Sequence, residues 1–254
     1  MPRLPKRYTR STPCYTMSVC VCTPTTNRQW SQAFSEFCMK EQIIQPVKWI
    51  VLDNSDPGKG WVPSPRFELH HVEGKKTVGW LRNHCLDLAL KTSCDYIVFW
   101  DDDDYYPPER IYAGVRGLVD SNADIACSSK MHLLLTKENV LMTTGPFGDH
   151  HGTAATYTIR RGYAETHRFD ETKGFAEELE FTEGWKAKMV QVSSENTIVV
   201  MGHSFNTVNK SILLDDPKTF RATIVNDANG KQVFRSKWSL SPELWGLWRT
   251  TFSV

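Results

Sequence analysis

Four consecutive carboxylates, Asp101, Asp102, Asp103 and Asp104, follow the apolar run 95–100 and precede Tyr105-Tyr106-Pro107-Pro108-Glu109. Like charges this close raise one another's pKa unless a cation or strong donors neutralise them. A hard divalent ion, Mg²⁺ or Mn²⁺, meets that need, because it takes a few carboxylate oxygens and leaves positions open for phosphate oxygens. The plainer alternative is a solvated acidic loop whose Asp104 caps the following helix. A second acidic group, Glu177, Glu178 and Glu180, stands after Gly174-Phe175. A carboxylate there can take the proton of an attacking hydroxyl, or the three can simply favour a helix N-terminus. His203, after a late apolar run, is either a further metal contact or a structural side chain.

The elements that must position these groups are legible as alternating strands and helices. Residues 17–22 read as a buried strand running into the polar loop Thr23-Pro24-Thr25-Thr26-Asn27-Arg28, followed by a helix over 29–42. A second strand, 47–52, runs into the turn-rich Asp53-Asn54-Ser55-Asp56-Pro57-Gly58, and 77–91 carries apolar residues at helical spacing. The third strand, 95–100, delivers the aspartates, and a helix over 107–121 tolerates proline in its first turn. This alternation predicts an α/β fold with a parallel sheet covered on both faces and ligands beyond the carboxyl ends of its strands. Strands over 124–127, 131–135 and 139–143 suggest a smaller mixed portion, with a strand over 153–159, a helix over 176–187 and strand character over 191–201.

The stretch from Asp95 through the four aspartates to Ile111 resembles the strand and metal loop of GT-A glycosyltransferases, family 2 in particular, with Asp101-x-Asp103 at the place of the family's Asp-x-Asp. Residues 19–28 resemble the first strand and nucleotide loop, Leu52-Asp53-Asn54-Ser55 the second, Arg82-Asn83 the element before the metal strand, and 152–183 the acceptor half. The resemblance spans roughly residues 17–203 and implies a GT-A fold: a Rossmann-like nucleotide-binding sheet with a smaller mixed acceptor-side portion. It implies inverting transfer of a sugar from a nucleotide-diphosphate donor, a UDP sugar by preference, to a hydroxyl of a glycan or other acceptor. Thr23, Pro24, Thr25, Arg28 and Asp53 would then face the nucleoside, with Asp53 accepting from a base N–H, although Asp53 or Asn54 can equally start an Asx turn. Arg82 and Asp102 would join the donor site, but Arg82 can as well pair with Glu73 or Asp87. Asp101, Asp103 and His203 would hold the ion. Glu178 stands at the place of the family's catalytic base; the family usually has Glu-Asp here, so the longer side chain leaves Glu177 in contention. His150 or His151 would line the acceptor cleft, and Trp100, Tyr105 and Trp185 offer rings for a sugar, with core packing the safer reading of Trp100.

Composition narrows the alternatives. At 254 residues and 40% hydrophobic content the chain can bury an adequate core, and its formal charge of +1 argues against nucleic acid or membrane binding through bulk electrostatics. Seven cysteines without a repeating spacing do not read as a disulfide framework, which suits a reducing compartment. The basic, proline-broken start reads as a mobile arm over 1–16, with no signal-like segment, and no apolar run reaches the roughly 20 residues needed to span a bilayer. These features predict a cytoplasmic protein. The expected plan is a transferase domain over 17–204, split into a nucleotide-sugar half, 17–111, and an acceptor half, 112–204. A C-terminal extension over 205–254 carries Trp238, Trp245 and Trp248 and can cap the core, cover the site or mediate assembly. A sugar nucleotidyltransferase is the main rival, yet such enzymes cradle a triphosphate on a glycine-rich loop, and residues 23–28 contain no glycine. A non-catalytic carbohydrate-binding protein of the same fold is the other.

Overall fold

The computed structural model describes residues 17–206, 209–226 and 229–252. The expected N-terminal arm lies outside them. The strands are β1 (Val19–Thr25), β2 (Lys48–Asp53), β3 (Glu68–His71), β4 (Tyr96–Phe99), β5 (Ile125–Cys127), β6 (Met131–Leu135), β7 (Val140–Thr144), β8 (Thr158–Arg160), β9 (Met189–Gln191), β10 (Val199–Gly202) and β11 (Thr223–Asn226). The helices are α1 (Gln32–Lys40), α2 (Val78–Leu90), α3 (Arg110–Val119), α4 (Arg161–Ala164), α5 (Glu178–Phe181), α6 (Ile212–Asp215), α7 (Gly230–Lys237) and α8 (Pro242–Phe252).

A seven-stranded sheet runs β3-β2-β1-β4-β8-β5-β9, parallel except for β8, which is antiparallel to both β4 and β5. β1 lies in its interior, between β2 and β4, and is buried along its whole length, as a parallel strand covered on two faces must be. A four-stranded sheet runs β10-β6-β7-β11. The two meet at the aspartates: Tyr105 and Val199 exchange both backbone N–H···O bonds, at 3.1 and 2.9 Å. On one face of the large sheet Phe34, Trp49, Trp100 and Tyr105 share a core with the small sheet and with Trp248; on the other, Leu81 and Leu86 of α2 pack with Ile97, Phe169 and Phe181. Thr77 caps α2, its hydroxyl accepting from Trp80 N–H at 3.2 Å.

Several expected boundaries move. Thr23, Pro24 and Thr25 belong to β1, because pairing with β2 continues to Thr25 opposite Asp53. β3, short and largely exposed, carried no clear alternation of its own. The helix expected over 176–187 shrinks to α5, since Glu183, Gly184 and Trp185 take left-handed backbone at φ 52°, 69° and 66°. Non-glycine residues rarely adopt that region, at a cost of about 1–2 kcal/mol each. The strand expected over 191–201 divides into β9 and β10, which join different sheets. The 153–159 strand begins with a 3₁₀ turn, Ala154–Thr156.

Residues past 205 supply β11 to the small sheet and set α8 against α1, with Phe252 edge-on to Phe34 at 5.1 Å and Trp248 fully buried. The six described cysteines are buried and free. Among the described residues no helix is long and apolar enough to cross a membrane.

Candidate active site

The four aspartates leave β4 in four different surroundings. Asp101 is the most open, its side chain 28% exposed, and its Oδ1 accepts from Arg82 Nη2 at 3.1 Å. Asp102 is buried, accepting from Thr25 Oγ1 and from Arg28 Nη1 at 2.6 Å. Burial pushes its carboxyl up to about 7, and the Arg28 charge offsets this only in part. Asp103 shares that guanidinium nitrogen, with Oδ2 at 3.1 Å from Arg28 Nη1, 3.2 Å from His203 Nε2 and 3.4 Å from Asn206 Nδ2. Burial alone would raise the Asp103 carboxyl, but Arg28 and His203 hold it below the usual range. Asp104 does not cap α3: the cap position falls on Glu109, and Asp104 Oδ1 instead accepts from Met201 N–H of β10 at 2.9 Å. Its burial drives the carboxyl well above the usual range.

Of the expected ion ligands, Asp103 and His203 come together, whereas Asp101 turns to Arg82. Among the described residues no three histidine, cysteine, aspartate or glutamate side chains form a cluster able to hold an ion alone. His203 is seated by Trp30, edge-on at 5.2 Å, and by Phe252 at 5.7 Å.

Arg82 joins the two acidic groups. It pairs with neither Glu73 nor Asp87; its Nε donates to Glu177 Oε1 at 2.8 Å while Nη2 holds Asp101, and Phe99 lies 5.1 Å under the guanidinium. Its Nη1 is buried without a hydrogen-bond partner among the described residues. Such orphan donors are rare in native proteins, and here the orphan belongs to the guanidinium that joins the two acidic groups. Glu177 is thus fixed in a buried ion pair. Glu178 is half-buried, with Oε1 accepting from Ala154 N–H at 3.0 Å; its burial, with Glu177 next to it, raises its pKa above the usual value. The turn that aims the pair is tight, with Ala176 at φ 55°.

On the nucleotide side, Thr23 turns inward and accepts from Trp49 Nε1 at 2.9 Å, which removes its hydroxyl from the expected contact. Pro24 is buried in β1 opposite Leu52. Asp53 makes the Asx turn, Oδ1 accepting from Ser55 N–H at 2.9 Å, and also Oδ2 from Trp61 N–H at 3.1 Å. Gly60 makes this possible, since a Cβ there would lie 1.9 Å from Asp53 Oδ2. Arg28 was expected at the nucleoside; it neutralises Asp102 and Asp103 and donates to the Phe205 carbonyl at 3.3 Å. Asn206 was not anticipated, and no sequence pattern marks it. On the acceptor side, Trp100 stacks on Tyr106 and donates to Ser35, and Tyr105 is buried against Phe234, so both belong to the core. Trp185 instead stacks on His151, and His150 is exposed.

The model of the family described as "Glycosyl transferase family 2" matches residues 20–205, which include every group placed above from Arg28 to His203. The chain belongs to that family. In fold, this family-2 chain is similar to a mannosyltransferase, PcManGT of Pyrobaculum calidifontis, in complex with GDP-Man and Mn²⁺. The TM-score is 0.53 at 14% identity, covering 92% of this chain and 73% of that one. It is also similar to S. aureus TarS 1–349 in complex with UDP-GlcNAc, at TM-score 0.52 and 14% identity, over 92% of this chain and 82% of that one. Another structure of TarS 1–349 aligns at TM-score 0.50 and 16% identity over 73% of this chain, but only 61% of that chain's length is covered. The two-sheet α/β arrangement is the GT-A fold. Among curated proteins no sequence matches this one.

Proposed function

We propose that this chain transfers a sugar from a nucleotide-diphosphate donor, a UDP sugar in the first instance, to an acceptor hydroxyl with inversion at the anomeric carbon. The observation that carries the reading is Arg82, which binds Asp101 of the β4 loop and Glu177 beside Glu178 and keeps one buried N–H donor free. The two acidic groups are therefore held within one side chain's reach of each other, beside a cation suited to a phosphate oxygen or a sugar hydroxyl. Glu178, with one oxygen engaged and a raised pKa, is the general base. It takes the acceptor's O–H proton as that oxygen bonds to the anomeric carbon, while the anomeric C–O bond breaks and the diphosphate leaves with the electron pair.

Asp103 and His203 would hold Mn²⁺ or Mg²⁺. A bound ion supplies charge stabilisation for the departing diphosphate. Arg28, which shares Asp103 Oδ2, neutralises the loop in its absence. Thr25, Arg28, Asp53, Asp101 and Asp102 would frame the nucleoside. The lone pairs of Asp53 not taken by Ser55 and Trp61 remain able to accept a base N–H. Two proteins of this fold are described in complexes with UDP-GlcNAc, or with GDP-Man and Mn²⁺, which supports a nucleotide-sugar donor.

The test is incubation with a panel of nucleotide sugars and Mn²⁺. Release of the nucleoside diphosphate is expected. Release of pyrophosphate would indicate nucleotidyl transfer, and absence of any product would indicate a binding protein.

A further inference from the structure

Tyr106 lies in the loop between the four aspartates and α3 and is fully buried, its ring stacked on Trp100 with centroids 4.0 Å apart. A phenylalanine would stack there as well. The hydroxyl is what packing does not require, and a buried hydroxyl is costly unless it is hydrogen-bonded. Here it serves two backbone groups from different parts of the site. It accepts from Asp101 N–H at 2.7 Å and donates to the Ala155 carbonyl at 3.4 Å. Burial holds the phenol's pKa well above its usual value, so it keeps the proton that it donates.

These two contacts close a circuit. Ala155 belongs to the 3₁₀ turn Ala154–Thr156, whose first N–H binds Glu178 Oε1 at 3.0 Å. The neighbouring Glu177 accepts from Arg82 Nε at 2.8 Å, and Arg82 Nη2 returns to Asp101 at 3.1 Å. Asp101 is therefore tied to the acidic pair twice, through side chains by Arg82 and through backbone by Tyr106. In α3, Arg110 adds a second backbone tie, its Nη2 donating to the Tyr157 carbonyl at 2.9 Å and to the Phe99 carbonyl at 3.4 Å.

We propose that Tyr106 is a positioning residue for sugar transfer: its hydroxyl fixes the turn that holds Glu178 against the loop that carries Asp101, and so sets the reach of the base from the donor site. This rests on the transferase reading, with Glu178 as the base. A base acts only within hydrogen-bond reach of the proton that it takes, so a small shift of the turn slows the chemical step without touching the nucleotide.

Tyr106→Phe tests this, since it removes one oxygen and keeps the stack. With a nucleotide sugar that the unmodified protein turns over, kcat should fall about 10- to 100-fold, while KM for that donor and the affinity for UDP with Mn²⁺ stay within about twofold. In a Glu178→Gln background the same change should cost no more than about twofold, because the base that it positions is already gone. The Ala154 hydrogen bond lowers the Glu178 pKa, and loosening it leaves Glu177 and Arg82, the charged groups beside Glu178, in place. The acid limb of the kcat/KM profile should therefore move to higher pH. A residue that merely supports the fold would lower the melting temperature and leave kcat and the limb unchanged; that result overturns the proposal, as do losses that multiply in the double variant. Amide hydrogen exchange needs no turnover: exchange at Ala154 should quicken about tenfold in Tyr106→Phe, and an unchanged rate overturns the tie. Should that variant not fold, the Asp101 and Ala154 amides of the unmodified protein should lose protection together as urea is added, and separate losses overturn it too. Failure of the transferase reading would look different, as absence of turnover of every nucleotide sugar by the unmodified protein with the exchange behaviour intact.

Discussion

Glu177 and Glu178 are neighbours in the chain but meet different partners, and the partners separate their roles. Glu178→Gln keeps the size and the hydrogen bond to Ala154 but cannot take a proton, so kcat should fall roughly 10²- to 10⁴-fold with donor affinity nearly unchanged. Glu177→Gln removes the charge facing Arg82 from a buried pair. It should destabilise the fold by about 1–3 kcal/mol in urea titrations and slow turnover less than Glu178→Gln does. A larger fall in turnover for Glu177→Gln would move the base one residue back. The raised Glu178 pKa sets the acid limb of the rate profile. A base works only when deprotonated, so kcat/KM should rise with pH through an apparent pKa above the value of about 4.3 usual for glutamate. A limb at or below that value would contradict the assignment. Asp103→Asn should abolish most Mn²⁺-dependent UDP binding by calorimetry while the fold survives, because Asp103 is the carboxylate that meets His203. The order of acidic groups was legible from residue types alone. Their pairing through Arg82 was not, since Glu177 lies 95 residues away and nothing local favours it over Asp87.

At the scale of elements, β4 was readable as a short apolar run closed by four aspartates, α3 as a strongly amphipathic helix after a Pro-Pro start, and α2 from its apolar spacing and its Thr77 cap. Segments 176–187 and 191–201 misled because their apolar spacing is real while the backbone is redirected by tertiary partners: the left-handed turn after α5, and the division of β9 and β10 between two sheets. The loop from Asp53 to Trp61 gives a prediction of its own. Asp53→Ala should weaken metal-free UDP by roughly 1.5–3 kcal/mol, the worth of a charge-assisted hydrogen bond. Gly60→Ala should reproduce much of that loss, because its Cβ would occupy the place of Asp53 Oδ2. Calorimetry with UDP checks both, and full affinity in Gly60→Ala would show that Asp53 does not read the base.

For the whole molecule, the C-terminal segment is part of the site's support. Phe252 packs on Phe34, Trp30 and His203, so Phe252→Ala should cost about 3–5 kcal/mol of stability and also lower Mn²⁺ affinity, with His203 left loose. Lost stability with unchanged Mn²⁺ affinity would separate the two effects and release His203 from the ion. The sequence left open whether this segment caps the core, covers the site or mediates assembly, because its three tryptophans stand without a clear period; burial of Trp248 shows one of them in the core. The buried thiols carry another consequence. Cys20 and Cys22 lie in β1, Cys38 in α1, Cys85 in α2 and Cys127 in β5, so a water-soluble alkylating reagent can reach each only when its own element opens. Labelling followed by peptide mass mapping thus times the breathing of the nucleotide half against that of the acceptor half, and a bound nucleotide should slow the clock at Cys38 before it slows the one at Cys127.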